Sequence, residues 1–241
     1  MPLIPLDDIR NLPLPDLSLK LLRALPSEQA NFNSVVAEYR NLGGYGSYGE
    51  PRPPDVDRLM ARLSDAWSWL ESHALIGLSA VNPQSSLWAR RTAAGEELVN
   101  DPDAIVKVWA DDRLAGTLDS ALTSARSIFA LGDYETASFA AMKAVEVEVR
   151  RVANLPNELI GKDLMRKAFR PQDGALRDPD AEAGERQAIA DLFAGAIGAY
   201  KNPASHRTVR FDDPVEAAEV VQLADLLLRI VRRAEARLRN G

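Results

Sequence analysis

Residues 213–238 carry the clearest helical pattern in the sequence. Asp213 is suited to cap this helix, Pro214 suits its first position, and Glu216 completes a variant of the capping box. Four other helical segments precede it, at 114–131, 134–152, 159–169 and 187–200. The residues after 110 therefore predict an almost wholly helical domain.

The first hundred residues differ in composition, because they hold nine of the fifteen prolines and a segment rich in Gly and Pro at 43–54. Asp55 is suited to cap an amphipathic helix over 56–70. Two short strands are expected at 78–81 and 86–90, joined by a turn that contains Pro83. This half therefore predicts helices together with a small β-hairpin.

The tetrapeptide Asn100-Asp101-Pro102-Asp103 predicts a domain boundary, since such residues favour turns and end helices. We therefore expect a first domain at 1–100, a linker at 101–110 and a second domain at 111–241. The length of 241 residues agrees with two small domains. The expected fold class is mainly α.

Composition excludes several classes of function. The formal net charge of -6 argues against a broad basic surface for duplex DNA. Two distant histidines and no cysteine predict neither a metal site nor a cofactor. No apolar segment approaches the about 20 residues of a membrane span, and the first residues lack the pattern of a secretory signal. We therefore expect a cytoplasmic protein without membrane contact.

The segment Lys201-Asn202-Pro203-Ala204-Ser205-His206-Arg207 concentrates polar groups where two helices meet. The imidazole of His206 can move a proton near neutral pH, and Lys201 and Arg207 can bind a phosphate. Asn202 and His206 share a face if the segment is helical. In the alternative, structural interpretation, Asn202 and Pro203 only begin a new helix.

Residues 111–240 resemble the HEPN superfamily, and in particular the Ymh-type domain of prokaryotic proteins. HEPN domains are all-α and include many RNases, with a signature of Arg, four to six residues, then His. The Ymh-type segment reads Arg-Asn-Pro-x-x-His-Arg, and this chain differs from it in having Lys201 at the first position. Lysine keeps the charge but lacks the planar fork that binds a phosphate through two parallel hydrogen bonds.

The resemblance implies a metal-independent endoribonuclease that leaves a 2′,3′-cyclic phosphate. His206 would then be the proton-transfer catalyst, and Lys201 would stabilise the phosphoryl charge. Asn202 would orient His206 or a phosphate oxygen. Arg207 would bind the substrate. Glu146 and Arg150, four residues apart on one helix, would pair and form a polar patch opposite the site, whereas the structural alternative is an ordinary surface salt bridge.

The resemblance also implies partners. RNA is the expected substrate, and a homodimer would bring two copies of His206 into one cleft. The small residues at 137–149 are a candidate surface for that dimer, or else pack inside the monomer. The context would be a prokaryotic toxin or antiphage system with an antitoxin or defence partner protein. The alternative is a regulatory protein that binds nucleotide, RNA or protein without catalysis.

Residues 14–100 resemble a winged-helix domain, in which a helix and an apolar turn precede two short strands. The expected recognition helix, 55–71, carries both acidic and basic residues rather than a basic face. DNA-reading helices normally bring several Lys or Arg to phosphates. A DNA-binding regulator is therefore a weakly supported alternative, and protein contact is the preferred role.

Overall fold

A computed structural model describes residues 3–41, 53–79, 88–101, 105–201 and 213–240 of the chain. The chain divides into two compact units, Met1–Ile105 and Val106–Gly241. The described residues are mainly helical with one small antiparallel sheet, which confirms the predicted fold class. In the expected linker at 101–110, residues 105–110 belong to a helix.

The first unit contains short helices and a three-stranded sheet. Its described helices are α1 (Leu6–Asn11), α2 (Leu14–Ala24), α3 (Phe32–Arg40), α4 (Val56–Ser72) and α5 (Ala93–Asn100). The strands are β1 (Ala30–Asn31), β2 (Ile76–Leu78) and β3 (Trp88–Arg91), in the antiparallel order β1–β3–β2.

The two predicted strands are present in part. The first, expected at 78–81, lies earlier, at Ile76–Leu78, and pairs with β3 so that Gly77 opposes Arg90. Residues 80–87, which include the expected turn, lie outside the described residues. Strand β1 was not predicted, because two residues carry no recognisable alternation.

Helix α4 is held by charged side chains that the sequence pattern assigned to other roles. Asp55 occupies the N-cap position of α4, as predicted, but its side chain makes no capping hydrogen bond. Its carboxylate instead binds the guanidinium of Arg10 through two hydrogen bonds of 2.9 and 3.0 Å. Arg62, on the expected recognition helix, donates to the carbonyl oxygens of Ile9 and Leu12. These contacts join α1 to α4.

The second unit is a helical bundle that begins in α6 (Ile105–Arg113), which crosses the division between the units. Its other described helices are α7 (Thr123–Ala130), α8 (Tyr134–Ala153), α9 (Gly161–Ala168), α10 (Ala183–Ala196) and α11 (Pro214–Asn240). A 3₁₀ turn (Ser120–Leu122) precedes α7, and a π-helical turn (Ile197–Lys201) follows α10.

The helix predicted at 114–131 begins late because Asp119 is engaged elsewhere. Its side chain caps the 3₁₀ turn by accepting a hydrogen bond from the Ala121 amide, 3.0 Å away. Its own amide donates to the Asp225 carboxylate at 2.7 Å, and its carboxylate accepts two bonds of 2.9 Å from Arg232. Contacts with α11 therefore fix this position and override the local helical pattern.

The small residues of α8 form the core of this unit. Ala137, Ala141, Val145 and Val149 are completely buried, and α8 packs against α7, α9 and α11. Small side chains allow such close approach of helices. These four of the small residues at 137–149 therefore pack inside one chain, whereas Val147 in the same range is exposed.

None of the helices in the described part of the chain is both long and apolar enough to cross a bilayer.

Candidate functional site

Lys201 ends a π-helical turn that extends α10. The α-helix predicted at 187–200 is regular only to Ala196, after which five residues adopt the wider π geometry. Such segments are rare and occur frequently at functional sites. The Nζ of Lys201 lies 3.0 Å from Oε2 of Glu146, on α8.

Glu146 is the centre of the site. It is 5% exposed, and its carboxylate is bound by one residue of its own helix and by two other helical elements. Oε1 accepts from Nη2 of Arg150, one turn later on α8, at 3.0 Å. Oε2 accepts from the Gly161 amide at 3.0 Å, in addition to its contact with Lys201. A buried carboxylate requires such partners, because desolvation of the charge is otherwise prohibitive.

Gly161 contributes a backbone donor that few other residues would supply. Its φ of +59° lies in the left-handed region, which favours glycine. It is the first residue of α9, so its amide has no acceptor within that helix. The Glu146 carboxylate accepts this bond and lies at the positive end of the α9 dipole.

The environment of Glu146 favours its ionised form. Burial alone raises the pKa of Glu146, but hydrogen bonds from Lys201, the Gly161 amide and Arg150 outweigh burial and lower it. The carboxylate is therefore charged at neutral pH. Within the described residues, this one carboxylate pairs with two cations, Arg150 and Lys201.

Arg150 connects this cluster to the surface. Glu146 and Arg150 pair as the sequence spacing indicated, but the alternative of an ordinary surface salt bridge was wrong, because both side chains are largely buried. Arg150 also donates to the Leu159 carbonyl at 2.9 Å. Its Nε is buried and has no acceptor among the described residues.

An open depression of about 500 Å³ lies beside this arginine. Its lining combines cationic and polar side chains with apolar ones. The lining residues are Val147, Arg150, Arg151, Asn154, Leu155 and Asn157. A depression of this kind can accept an anionic group together with an apolar or aromatic one.

The structure brings together three of the six predicted site residues, Glu146, Arg150 and Lys201. Asn202, His206 and Arg207 lie outside the described residues. Their predicted roles, and those of the three described residues, therefore stay predictions. Sequence reasoning missed the Gly161 amide and the Leu159 carbonyl, since backbone groups leave no signature in side-chain spacing.

His73, the other histidine, occupies the end of α4. Its Nδ1 lies 2.8 Å from the Trp69 carbonyl, and its ring stacks on the Trp69 indole with centroids 3.9 Å apart. His73 is the C-cap residue of α4, and these contacts fix it there. Across the described ranges, no three His, Asp or Glu residues cluster as metal ligands would.

Comparison with known proteins places one region of the chain. Neither the curated proteins nor the solved structures contain a match to the chain. Residues 119–231 match the model of a family described as a protein of unknown function, Hypoth_ymh. This match begins at the residue that caps the 3₁₀ turn and includes Glu146, Arg150 and the segment 201–207. It supports a Ymh-type C-terminal domain.

Proposed function

We propose that the second unit is a metal-independent endoribonuclease of the HEPN type, acting in a prokaryotic toxin or antiphage system. One observation carries the proposal: a buried carboxylate, Glu146, holds the Lys201 ammonium at the head of the segment that contains His206. A fixed cation beside a proton-transfer group is what phosphoryl transfer requires. The biological context rests on the family resemblance alone.

The proposed reaction is a transesterification within RNA. The ribose 2′-oxygen forms a bond to the adjacent phosphorus while the bond from phosphorus to the 5′-oxygen breaks. One His206 accepts the 2′-OH proton, and the departing 5′-oxygen receives a proton. The products are a 2′,3′-cyclic phosphate and a 5′-hydroxyl, so neither water nor a metal is consumed. Lys201 stabilises the negative charge that grows on the phosphoryl oxygens.

A homodimer would supply both proton-transfer groups. The chain has two histidines, and the second, His73, caps a helix in the other unit. The second unit of a single chain therefore has one histidine, His206, for this reaction. A two-fold arrangement would place two copies of His206 at one cleft, one as base and the other as acid.

The depression beside Arg150 is the proposed binding surface for the RNA. Arg150 and Arg151 bring guanidinium groups to it, and Asn154 and Asn157 bring side-chain amides. Guanidinium groups bind phosphate oxygens, whereas amides bind base edges. Arg150 also touches Glu146, so it links this surface to Lys201.

The test is cleavage of total RNA in the presence of excess chelator. We expect the wild-type chain to cut, mass spectrometry to find cyclic phosphate ends, and His206→Ala to be inactive with an unchanged circular dichroism spectrum. His73→Ala is the matched control, because it removes the other histidine. Equal cleavage by wild type and His206→Ala would reject the proposal, as would a requirement for divalent metal.

A second candidate is a domain that binds RNA or nucleotide without cutting it. The observation that favours it is the pairing of Lys201 with Glu146, since an ammonium neutralised by a carboxylate stabilises a transition state less than an unopposed one. This candidate predicts RNA binding that Arg151→Gln weakens and no cleavage products at any protein concentration.

For the first unit we propose a winged-helix module that contacts protein rather than DNA. The order α2–β1–α3–α4–β2–β3 and the sheet order β1–β3–β2 support this. The exposed charges of α4 are Asp57, Arg58, Asp65 and Glu71, so this helix presents more acid than base. Such a face repels phosphates. Salt-sensitive binding of the full chain to duplex DNA, lost in Arg58→Gln, would instead support a DNA-binding regulator.

A further inference from the structure

A cavity of about 260 Å³ lies within the second unit and is lined by none of the described residues assigned to a site above. It is bounded by residue 169 and the loop that follows it, by the first half of α10 and by the second half of α11. Its apolar wall consists of Phe169, Leu176, Ile189 and Ile230. Phe169 and Leu176 are buried, so this wall is continuous with the core.

Four arginines, Arg177, Arg186, Arg233 and Arg237, line the same cavity. Arg237 lies 3.2 Å from the carboxylate of Asp178, which also lines it. The other three form no ion pair with any carboxylate in the described part of the chain. Among the residues that the structure describes, Arg177 and Arg186 donate only to backbone carbonyls, those of Gly174, Pro179 and Ala181.

The second acidic residue at the cavity is already engaged. Glu185 accepts a hydrogen bond from the Glu182 amide at 3.2 Å, as part of the box that caps α10. Four cations and two anions therefore line the cavity, and positive charge predominates. The excess is concentrated on Arg177, Arg186 and Arg233.

Arg186 provides an independent indication of a ligand. Its Nε is buried and has no hydrogen-bond partner among the described residues. An unsatisfied buried donor is costly, and the cost is larger for a charged group. Natural proteins keep few such groups, and many of those they keep serve a function.

We propose that this cavity binds a small amphipathic organic anion: an apolar or aromatic body that carries one carboxylate or phosphate. The apolar wall accommodates the body, and the three arginines without carboxylate partners bind the anionic group. The volume corresponds to about nine water molecules, so the ligand has about ten non-hydrogen atoms. The cavity shares no lining residue with the depression beside Arg150, and the proposal does not depend on the proposed nuclease activity.

The test uses four probes with the full-length chain. Salicylate and phenyl phosphate are amphipathic anions of the right size, salicylamide is the uncharged analogue of the first, and inorganic phosphate lacks an apolar body. We expect calorimetry to show that both amphipathic anions bind at least about tenfold more tightly than either control, the value of one charged hydrogen bond. The tighter binder of salicylate and phenyl phosphate shows whether the cavity prefers a carboxylate or a phosphate.

Arg233→Gln locates the binding. This residue is exposed, so its replacement leaves the fold intact, and we expect salicylate and phenyl phosphate to bind about tenfold more weakly. Arg126→Gln removes the same charge from the surface of α7 and is the matched control. The proposal would be overturned if salicylamide or inorganic phosphate bound as tightly as the amphipathic anions. It would also be overturned if Arg233→Gln and Arg126→Gln weakened their binding equally.

Discussion

The ammonium of Lys201 lies 3.0 Å from the buried carboxylate of Glu146, although the two residues belong to helical elements far apart in the sequence. That contact joins the π-helical turn to the centre of α8. The Gly161 amide binds the same oxygen, so the start of α9 is fixed to the same point. One carboxylate thus sets the relative positions of three helical elements.

Replacing Glu146 by Gln should destabilise the second unit by about 3 kcal/mol, because two largely buried cations lose their counter-charge. Urea unfolding followed by circular dichroism at 222 nm measures this. Glu158→Gln, an exposed change in the loop between α8 and α9, is the control and should stay within about 0.5 kcal/mol of wild type. Equal effects would mean that the buried cluster contributes no stability.

Acid should weaken this unit through the same carboxylate and two others. The pKa of Glu146 is lowered by its hydrogen bonds against burial, that of Glu148 by Arg151 and Arg232, and that of Asp119 by Arg232. Each pKa is lower in the folded chain than in the unfolded one, so the unfolded chain binds protons first as pH falls. The stabilisation is complete above about pH 4.5 and is lost below it.

Unfolding free energies measured at pH 7, 5 and 3.5 test this. We expect little change between pH 7 and 5 and a steep fall by pH 3.5. Glu146→Gln should show a shallower fall, since one of the three groups no longer titrates. A wild-type stability that rises on acidification would contradict the assigned directions.

Local patterns in the sequence predicted the helices whose ends are fixed locally. The segment 134–152 forms α8 almost residue for residue, because Asp133 caps it and the periodicity continues to Ala153. The predicted cap of α11 is also present, since Asp213 accepts from the Val215 amide at 2.8 Å. Capping depends on neighbours within one turn, so sequence carries that information.

Long-range contacts account for what the sequence did not predict. The late start of α7 depends on Asp225 and Arg232, which lie on another helix. The burial of Glu146 depends on how α8, α9 and the π-helical turn meet. The four-residue spacing between Glu146 and Arg150 does not reveal this, because exposed pairs on a helix have the same spacing. The site could therefore be predicted as a set of residues but not as a buried network.

The identity of the cation at position 201 should control the rate of RNA cleavage. Lys201→Arg keeps the contact with Glu146 and adds the planar fork of the Ymh-type pattern, so RNA cleavage should rise relative to wild type. Lys201→Gln should lose cleavage by about 100-fold, the scale for removing one electrostatic donor. Initial rates on a fixed RNA measure both. No gain in Lys201→Arg would mean that the fork does not limit the reaction.

Arg62 should be a structural residue of the first unit rather than a ligand-binding one. Arg62→Met removes donors to the carbonyls of Ile9 and Leu12, which we expect to cost about 2 kcal/mol. Three of the four tryptophans lie in this unit, among them the buried Trp67, so fluorescence reports mainly its unfolding. Arg58→Met, exposed on α4, is the control with no expected loss. A stable Arg62→Met would mean that the Arg10–Asp55 pair and apolar contacts hold α1 without it.

Gly174 should tolerate no side chain. A Cβ at this position would lie 2.3 Å from the Arg170 amide nitrogen and 2.7 Å from the Ala168 carbonyl oxygen. These are backbone atoms, so the loop must shift, and the Gly174–Arg170 hydrogen bond of 2.8 Å shifts with it. Gly174→Ala should therefore destabilise the chain by about 2 kcal/mol.

The control is Gly184→Ala. This position lies in α10 and has open space where the Cβ would be, so the variant should be neutral or stabilised by up to about 1 kcal/mol. Thermal unfolding of the two variants gives the comparison, and similar melting temperatures would show that the loop beside the arginine-lined cavity can rearrange at little cost.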